Sequence, residues 1–249
     1  MVTHSATLSP ADIPSDENPH GETALILGGT QGAGYDVARL LAGNGLKLVL
    51  TDPDGDAAQM AARSLGQAGM ACDTALNRDM AKLAYHVADL LGDIDTLVLT
   101  LPPALPPGGS AAMSEADFTA HLRGQSLPLL QIARHFVPAM KARRHGAVVI
   151  LAQVPSRPDP WQDAACAWLA AATRALAAEW TGVALNTVIA PRPDQPTLPK
   201  FMHAAAPKPA ETADDRSART DLAQAALAFC RPASKITGQV LHLPRLTTD

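Results

Sequence analysis

The sequence contains no apolar run that approaches the roughly 18 residues needed to cross a membrane. Its first 21 residues carry neither the basic start nor the apolar stretch of a signal peptide. We therefore expect residues 1–21 to form a flexible extension outside the fold. Basic residues are not in excess, since 20 Lys and Arg stand against 24 Asp and Glu and the net charge is −4. These absences predict a protein that binds neither a membrane nor nucleic acid.

Cysteine is also scarce. The three cysteines, Cys72, Cys166 and Cys230, are far apart and odd in number, which favours free thiols in a reducing compartment over a disulfide framework. The eight histidines show no spacing typical of metal ligands. We therefore expect a cytoplasmic protein without a metal site.

What the sequence does contain is a regular alternation of short apolar runs and segments with helical periodicity. The apolar runs predict strands at 23–27, 46–51, 95–101, 147–151, 183–189 and 239–243, and a short strand that ends near Asp73. The periodic segments predict helices at 35–44, 56–69, 79–91, 115–143, 162–181 and 221–229, with Pro128 as a kink or break in the long one. This order predicts one α/β domain over residues 22–249, a doubly wound Rossmann-like parallel sheet with helices on both faces.

A glycine-rich turn, Gly28-x-x-x-Gly32-x-Gly34, follows the first predicted strand. Glycines permit a tight turn there and let the backbone approach a pyrophosphate at the N-terminus of the next helix. An acid at the end of the second strand can accept ribose hydroxyls and would repel a 2′-phosphate, which favours NAD over NADP. The residues expected to contact the dinucleotide are Gly28, Gln31, Gly32, Gly34, Asp52 and Asp73. The sequence leaves open whether NAD still binds or whether these residues are vestigial.

Further landmarks occur in order along the chain. They are Gly-Asp-Ile-Asp-Thr-Leu-Val at 92–98, Gly-Ala-Val-Val-Ile at 146–150, Asn-x-x-x-x-Pro at 186–191 and Ile-Thr-Gly-Gln at 236–239. With the glycine turn they resemble the short-chain dehydrogenase/reductase family from residue 22 to the C-terminus. The resemblance implies a Rossmann fold, a nicotinamide cofactor and hydride transfer to or from a hydroxy or oxo substrate.

The catalytic residues that the family pattern leads one to expect are missing. In the family, a tyrosine acts as general acid/base and a lysine four residues later lowers its pKa. This chain has two tyrosines and six lysines, and no lysine stands four residues after a tyrosine. Counting along the helices places the tyrosine position at Gln162, the lysine position at Cys166, the serine position at Gln153 and the asparagine position at Gln125. A different gap placement moves the tyrosine and lysine positions to Cys166 and Ala170, which again supplies neither residue type. We therefore expect no catalytic residue at these degenerate positions.

The helix at 162–181 is apolar on more than one side, which indicates a second burial partner besides its own core. In the family that this chain resembles, this helix and the long helix before it pair across a two-fold axis. Trp168 and Trp180 are the expected anchors of such a contact.

These features favour a non-catalytic subunit, or pseudoenzyme, that pairs with a catalytically intact family member in an NAD-dependent hetero-oligomer. The resemblance suggests a heterotetramer that acts on a hydroxyacyl-CoA or similar substrate, as in the benzylsuccinate β-oxidation dehydrogenases. Two alternatives remain open from the sequence. One is a sensor that binds NAD or an acyl-CoA, and the other is an active oxidoreductase with atypical catalytic residues.

Overall fold

The computed structural model describes residues 22–101, 113–155, 160–192, 213–232 and 234–243. The expected N-terminal extension, residues 1–21, lies outside the described ranges. Within them the elements follow in the order β1 (Thr23–Leu27), α1 (Gly32–Gly43), β2 (Lys47–Asp52), α2 (Gly55–Ser64), β3 (Ala68–Ala71), α3 (Asn77–Leu91), β4 (Thr96–Thr100), α4 (Glu115–His135), α5 (Val137–Arg143), β5 (Ala147–Pro155), α6 (Pro160–Glu179), β6 (Ala184–Arg192), α7 (Ala213–Phe229) and β7 (Val240–His242).

All seven strands join in one parallel sheet with the order β3-β2-β1-β4-β5-β6-β7. This confirms the predicted doubly wound architecture. Strand β1 pairs with β2 on one side and with β4 on the other, so the direction in which the chain adds strands reverses between β1 and β4. In sheets of this kind, the carboxyl ends of the strands at the reversal form the usual ligand crevice.

Apolar side chains alternate along the strands and supply a separate core on each face of the sheet. On β1, Leu25 and Leu27 face the core to which α3, α4, α5 and α6 contribute. Ala24 and Ile26 face the opposite core, which includes side chains from α1, α2 and α7. Trp180 lies in the first core and is only 2% exposed. The expectation that Trp180 anchors a partner is therefore wrong, because its own domain buries it.

Two predicted helix boundaries differ from the structure for identifiable reasons. The helix expected at 56–69 ends at Ser64, because Gly66 adopts a left-handed φ of +67° and Ala68 already pairs with Val49 of β2. The last helix begins at Ala213, eight residues before the expected start. Its first two turns are polar, so no hydrophobic period marks them in the sequence.

The long helical segment breaks at Phe136, whereas the sequence pointed to Pro128. Helix α4 continues through Pro128, which is buried within it. A second proline, Pro138, stands at the start of α5, where a proline needs no helical hydrogen-bond acceptor. Pro138 has no N–H to continue the bonding of α4, but neither has Pro128, so the missing donor alone does not decide where the helix breaks.

At the amino ends of the strands, Asp95 links three elements of the chain. Its Oδ2 accepts a hydrogen bond from the backbone N–H of Thr23 at 3.2 Å, which joins β4 to the start of β1. Its Oδ1 accepts from Nη1 of Arg143 at 3.1 Å, at the end of α5. Arg143 also donates to the backbone oxygen of Ile94 at 2.7 Å and lies 3.3 Å from Asp93. This ionic cluster fixes the end of α5 against the sheet, away from the ligand crevice.

Replacing Arg143 by alanine is expected to lower the free energy of unfolding by about 2 kcal/mol, because it leaves the half-buried Asp95 with only the more distant His145, whose Nε2 lies 3.6 Å from Oδ1. Urea denaturation measures the change. The matched control is Arg78→Ala, since the Arg78 side chain is 74% exposed beside Asp79 and its loss should cost about 0.5 kcal/mol or less. If the two substitutions lower the free energy of unfolding equally, the contacts of Arg143 with Asp95 and Ile94 do not stabilise the fold more than an exposed ion pair does.

Candidate functional site

The glycine turn between β1 and α1 is held against the end of β2. The backbone N–H groups of Gly28 and Gly29 both donate to the carbonyl oxygen of Thr51, at 3.1 Å each. Gly28 has a φ of +80°, a conformation that side chains rarely tolerate. A Cβ atom at Gly28 would also lie 3.2 Å from the carbonyl oxygen of Thr100, at the end of β4. The turn therefore lies at the reversal point of the sheet.

The last glycine of the turn brings α1 into direct contact with the turn and with β4. A Cβ atom at Gly34 would stand 2.5 Å from the carbonyl oxygen of Gly28 and 2.6 Å from Oγ1 of Thr100. Only glycine fits there without displacement of the backbone. Gly32 differs, because its φ is +61° and a Cβ atom there would meet no heavy atom within 4 Å. The turn is therefore closed towards the sheet at Gly34 and open at Gly32.

The N-terminus of α1 suits an anion electrostatically. The Gln31 side chain does not cap the helix, and no acidic residue stands in the first turn. The first N–H groups of a helix carry partial positive charge and point out of its N-terminus. A phosphate group beside Gly32 would meet these donors without competition from a carboxylate of the helix.

Asp52 ends β2, next to this turn, and its carboxylate is anchored on both oxygens. Oδ2 accepts a short hydrogen bond from the Thr30 hydroxyl at 2.5 Å, and Oδ1 accepts from the Asp54 backbone N–H at 3.0 Å. Each carboxylate oxygen retains acceptor capacity beyond these bonds. The structure thus presents a fixed, half-buried acceptor for hydroxyl groups at the end of β2.

Asp73 follows β3, and its carboxylate takes part in a local turn. Its Oδ1 accepts from the backbone N–H of Ala75 at 2.9 Å, and its own N–H lies 3.4 Å from Oδ2 of Asp79. The preceding residue, Cys72, donates its N–H to the Asp52 carbonyl at 2.8 Å, which places Asp73 beside the end of β2. Contact of Asp73 with a dinucleotide stays a prediction.

The residues at the expected tyrosine and lysine positions touch each other on α6. Gln162 is 3% exposed, and its Nε2 lies 3.7 Å from Sγ of Cys166, one helical turn later. Gln125 is likewise buried, on α4. Gln153 lies on the part of β5 that extends past its pairing with β4, where it pairs with Ala190 of β6. Gln162 and Gln153 therefore lie towards the carboxyl edge of the sheet.

These side chains can hold a polar ligand but are poor proton donors and acceptors. A glutamine amide donates and accepts hydrogen bonds without titrating. Burial raises the pKa of the Cys166 thiol, the hydrogen bond from Gln162 opposes this, and the nearby Asp163 raises it further. Because the thiolate is the reactive form of cysteine, Cys166 is neutral and weakly nucleophilic near neutral pH.

Cys166 is expected to react slowly with iodoacetamide at pH 7. Burial raises the pKa of Cys166 above the ordinary thiol value, so the alkylation rate should rise about tenfold per pH unit between about pH 6 and pH 8. Mass spectrometry of the labelled peptide measures the rate. Cys72 and Cys230 serve as internal controls, because burial raises the pKa of each thiol to about 12 and should keep them slower still. Labelling of Cys166 that levels off below pH 7 would indicate an activated thiol and favour atypical catalysis.

A cavity of about 520 Å³ opens beside Asp52, between the glycine turn and α2. Its lining includes Asp52, Asp54 and Met60, together with Tyr35 and Ser64, whose side-chain oxygens are 2.7 Å apart. Sequence reasoning missed this cavity and the Thr30–Asp52 bond. The hydroxyl residue within the glycine turn was the one available signal, and its partner is 22 residues away.

The described ranges contain no group of three His, Cys, Asp or Glu side chains placed to hold a metal ion. No helix within them is both long and apolar enough to span a membrane.

Comparison with known proteins places the chain in a family. A family model described as enoyl-(acyl carrier protein) reductase matches residues 28–244. The oxidoreductase UcpA of Salmonella typhimurium is 31% identical over 181 residues, which is 68% of each chain.

Solved structures agree with this placement. A protein described as a short chain dehydrogenase/reductase family protein superposes with a TM-score of 0.72 at 29% identity, over 90% of this chain and 95% of the other. The 3-ketoacyl-(acyl-carrier-protein) reductase of Brucella melitensis, crystallised with NADH, superposes with a TM-score of 0.75 at 23% identity, over 90% and 96%. The sheet order, the glycine turn and these matches together show that the chain belongs to the short-chain dehydrogenase/reductase family of oxidoreductases.

Proposed function

We propose that this chain is a non-catalytic subunit of an NAD-dependent short-chain dehydrogenase, and that it assembles with a catalytically intact family member. The observation that carries the proposal is the contact between Gln162 and Cys166. By residue counting, these two side chains take the positions of the family's proton-transferring tyrosine and its lysine.

The chemistry of these side chains supports the proposal. Hydride transfer to or from an alcohol carbon requires that a proton leave or reach the adjoining oxygen. A positioned acid/base group typically contributes about 10²–10⁴-fold to the rate of such a step. The Gln162 amide cannot supply this proton, and the Cys166 thiol has a raised pKa without the fixed positive charge that a lysine provides. A chain without either member of the pair therefore lacks this contribution to the rate.

The outward face of α6 supports the assembly. The helix buries Leu169 and Thr173 against its own sheet, and Trp180 is buried directly after its last residue. Its opposite face is also apolar, and we call it the outer stripe of α6. The exposed residues of this stripe are Trp161, Ala164, Trp168, Ala171, Ala175 and Ala178. A solvent-facing helix usually presents charged and polar side chains, so a continuous apolar stripe indicates a protein partner.

Helix α4 contributes further apolar surface. Leu122 and Leu130 are 46% and 45% exposed, although both are large hydrophobic residues. At the start of the two helices, Phe118 and Trp161 meet edge to face with ring centroids 4.9 Å apart. The small alanines of the outer stripe permit close approach of a helix from another subunit. An intact family member, which has corresponding helices, is the partner that fits this surface, and we propose that the two kinds of chain form a heterotetramer.

The dinucleotide end of the cleft fits the adenosine diphosphate half of NAD. The open Gly32 turn and the N-terminus of α1 would hold the phosphates, and Asp52 would accept the ribose hydroxyls. NAD would supply the hydride acceptor in the intact subunit, whereas in this chain it would serve binding only. The name of the matching family model points to thioester-linked acyl substrates, and we propose a hydroxyacyl-CoA or similar substrate for the complex.

The test is native mass spectrometry of the complex purified from its own host through a tag on this chain. We expect one or more intact family subunits at a fixed ratio, and NADH formation by the complex but not by the chain alone. Recovery of a homotetramer without a second dehydrogenase would contradict the proposal. NADH formation by the pure chain, lost in Cys166→Ala or Gln162→Ala, would instead establish an active oxidoreductase with atypical residues.

A further inference from the structure

Charge is distributed unevenly along the chain, although basic residues are not in excess overall. Residues 118–157 contain six Lys and Arg and no Asp or Glu. This stretch includes all of α5 and the whole of α4 beyond Asp117. Because the net charge of the chain is −4, the acids lie elsewhere, and α4 is locally basic beyond its first turn.

Two arginines of α4 border its exposed leucines. Arg123, Leu130 and Arg134 are separated by seven and four residues, a spacing that puts them on one face of the helix. All three are exposed, and the exposed Leu122 precedes Arg123 directly. Neither guanidinium forms an ion pair within the described ranges. The exposed side of α4 thus combines large apolar side chains with uncompensated positive charge.

A third arginine stands beside the outer stripe of α6. Arg174 is exposed and lies one helical turn from Ala171 and from Ala178 of the stripe. It forms no ion pair with any residue that the structure describes. The start of α6 lies next to α4, as the contact between Phe118 and Trp161 shows. The three arginines therefore belong to the side of the domain on which both helices expose apolar residues.

The acids of the two helices lie at helix ends. Glu115 and Asp117 stand in the first turn of α4, and Asp163 stands in the first turn of α6, where a carboxylate stabilises the helix N-terminus. Glu179 is the last residue of α6. Between these ends, the only Asp, Glu, Lys or Arg side chains on the two helices are the three arginines. A partner that covers this surface removes water from the guanidinium groups, and a desolvated cation without a counter-charge is costly.

We infer that Arg123, Arg134 and Arg174 select the partner subunit, and that the partner presents carboxylates beside the apolar residues of its own helices. The inference rests on the proposed function and names the chemistry of the partner's surface. Arginine binds a carboxylate through two parallel hydrogen bonds, which fix orientation as well as charge. Complementary charge mainly sets the choice of partner and the rate of association. A second copy of this chain offers carboxylates only at the ends of the same helices and is therefore the poorer fit.

The test compares the full chain with the triple variant Arg123→Gln, Arg134→Gln and Arg174→Gln, which removes the charges and keeps polar side chains. The partner subunit that co-purifies from the host is isolated, and its dissociation constant for the immobilised chain is measured by interferometry at about 50 and 500 mM NaCl. We expect the triple variant to bind about a hundredfold more weakly at the lower salt concentration. The wild-type complex should weaken at least about tenfold at the higher concentration, whereas the triple variant should hardly respond.

Two controls isolate the charge of these arginines. A triple variant with lysine at the three positions keeps the charge and should recover most of the affinity. Arg63→Gln is matched to the single variant Arg174→Gln, because Arg63 is also an exposed arginine but lies on α2, on the opposite face of the sheet. Arg63→Gln should leave the dissociation constant unchanged, whereas Arg174→Gln should raise it about fivefold.

The outcomes distinguish this inference from the proposed function. If a dehydrogenase subunit co-purifies and binds the wild type and the triple variant equally, the inference is wrong and the assembly stands. An equal loss of affinity in Arg63→Gln and Arg174→Gln would likewise overturn it, since general charge would then explain the effect. If only a second copy of this chain is recovered, the proposed function fails and the inference fails with it. Binding of the pure chain to phosphatidylglycerol vesicles that is lost in the triple variant would overturn it in favour of a lipid surface.

Discussion

Replacing Trp168 by glutamate is expected to abolish capture of the partner subunit. Trp168 lies in the middle of the outer stripe of α6 and is 43% exposed in the single chain. A tryptophan at the centre of an interface commonly contributes about 2–4 kcal/mol, and a buried charge in its place adds a desolvation cost. The partner should therefore bind at least about a hundredfold more weakly. Tag-based co-purification from the host, read out by native mass spectrometry, measures the loss.

The matched control for this substitution is Tyr85→Glu. Tyr85 is an aromatic residue on α3 that is 72% exposed, and it lies outside the outer stripe. This variant should retain the partner fully. Thermal unfolding of both variants by circular dichroism should match the wild-type chain, because neither side chain belongs to the core. If Trp168→Glu retains the partner, the outer stripe of α6 is not the assembly surface.

Replacing Gly34 by alanine is expected to destabilise the chain and to abolish dinucleotide binding. The added methyl group would lie 2.5 Å from the carbonyl oxygen of Gly28 and 2.6 Å from Oγ1 of Thr100. Since the first of these is a backbone atom, α1 or the glycine turn must shift. Overpacking of this kind costs about 3 kcal/mol. Urea denaturation measures the stability, and titration with NAD measures the binding.

Gly43→Ala provides a control in the same helix. Gly43 ends α1, and a Cβ atom there would meet no heavy atom within 4 Å. Alanine favours the helix over glycine, so this variant should be as stable as the wild type or more stable by about 0.5–1 kcal/mol. If Gly43→Ala destabilises the chain as much as Gly34→Ala does, the effect is due to the loss of a glycine in α1 in general. The close contact of α1 with the turn would then not explain it.

Local sequence patterns determined most of the fold, because strands buried on both faces and helices with one apolar stripe are readable one element at a time. The glycine turn and the acid after β2 were found in the same way, since both depend on short-range chain geometry. The choice between Pro128 and Pro138 as the helix break was not readable. Both prolines remove one N–H from the helical hydrogen bonding. The packing of α4 and α5 on the sheet decides at which of the two prolines the helix breaks.

The missing tyrosine–lysine pair was determined by the sequence alone, because it follows from counting residues and needs no structure. The exposure of the two tryptophans in the 162–181 segment could be determined only from the tertiary structure. Trp168 lies on α6 and Trp180 directly follows its last residue, and the packing of this segment on the sheet exposes the first and buries the second.

The anchoring of Asp52 by Thr30 and the cavity shared with Asp54 also required the tertiary structure. The bond joins residues that are 22 positions apart, and the cavity is formed by side chains from a turn, a strand end and two helices. Sequence periodicity reports which way a residue faces within its own element. It carries no distance between elements. The absence of a tyrosine–lysine pair could therefore be read from the sequence, whereas the surroundings of Asp52 and Asp54 became visible only when β1, β2 and α2 were brought together.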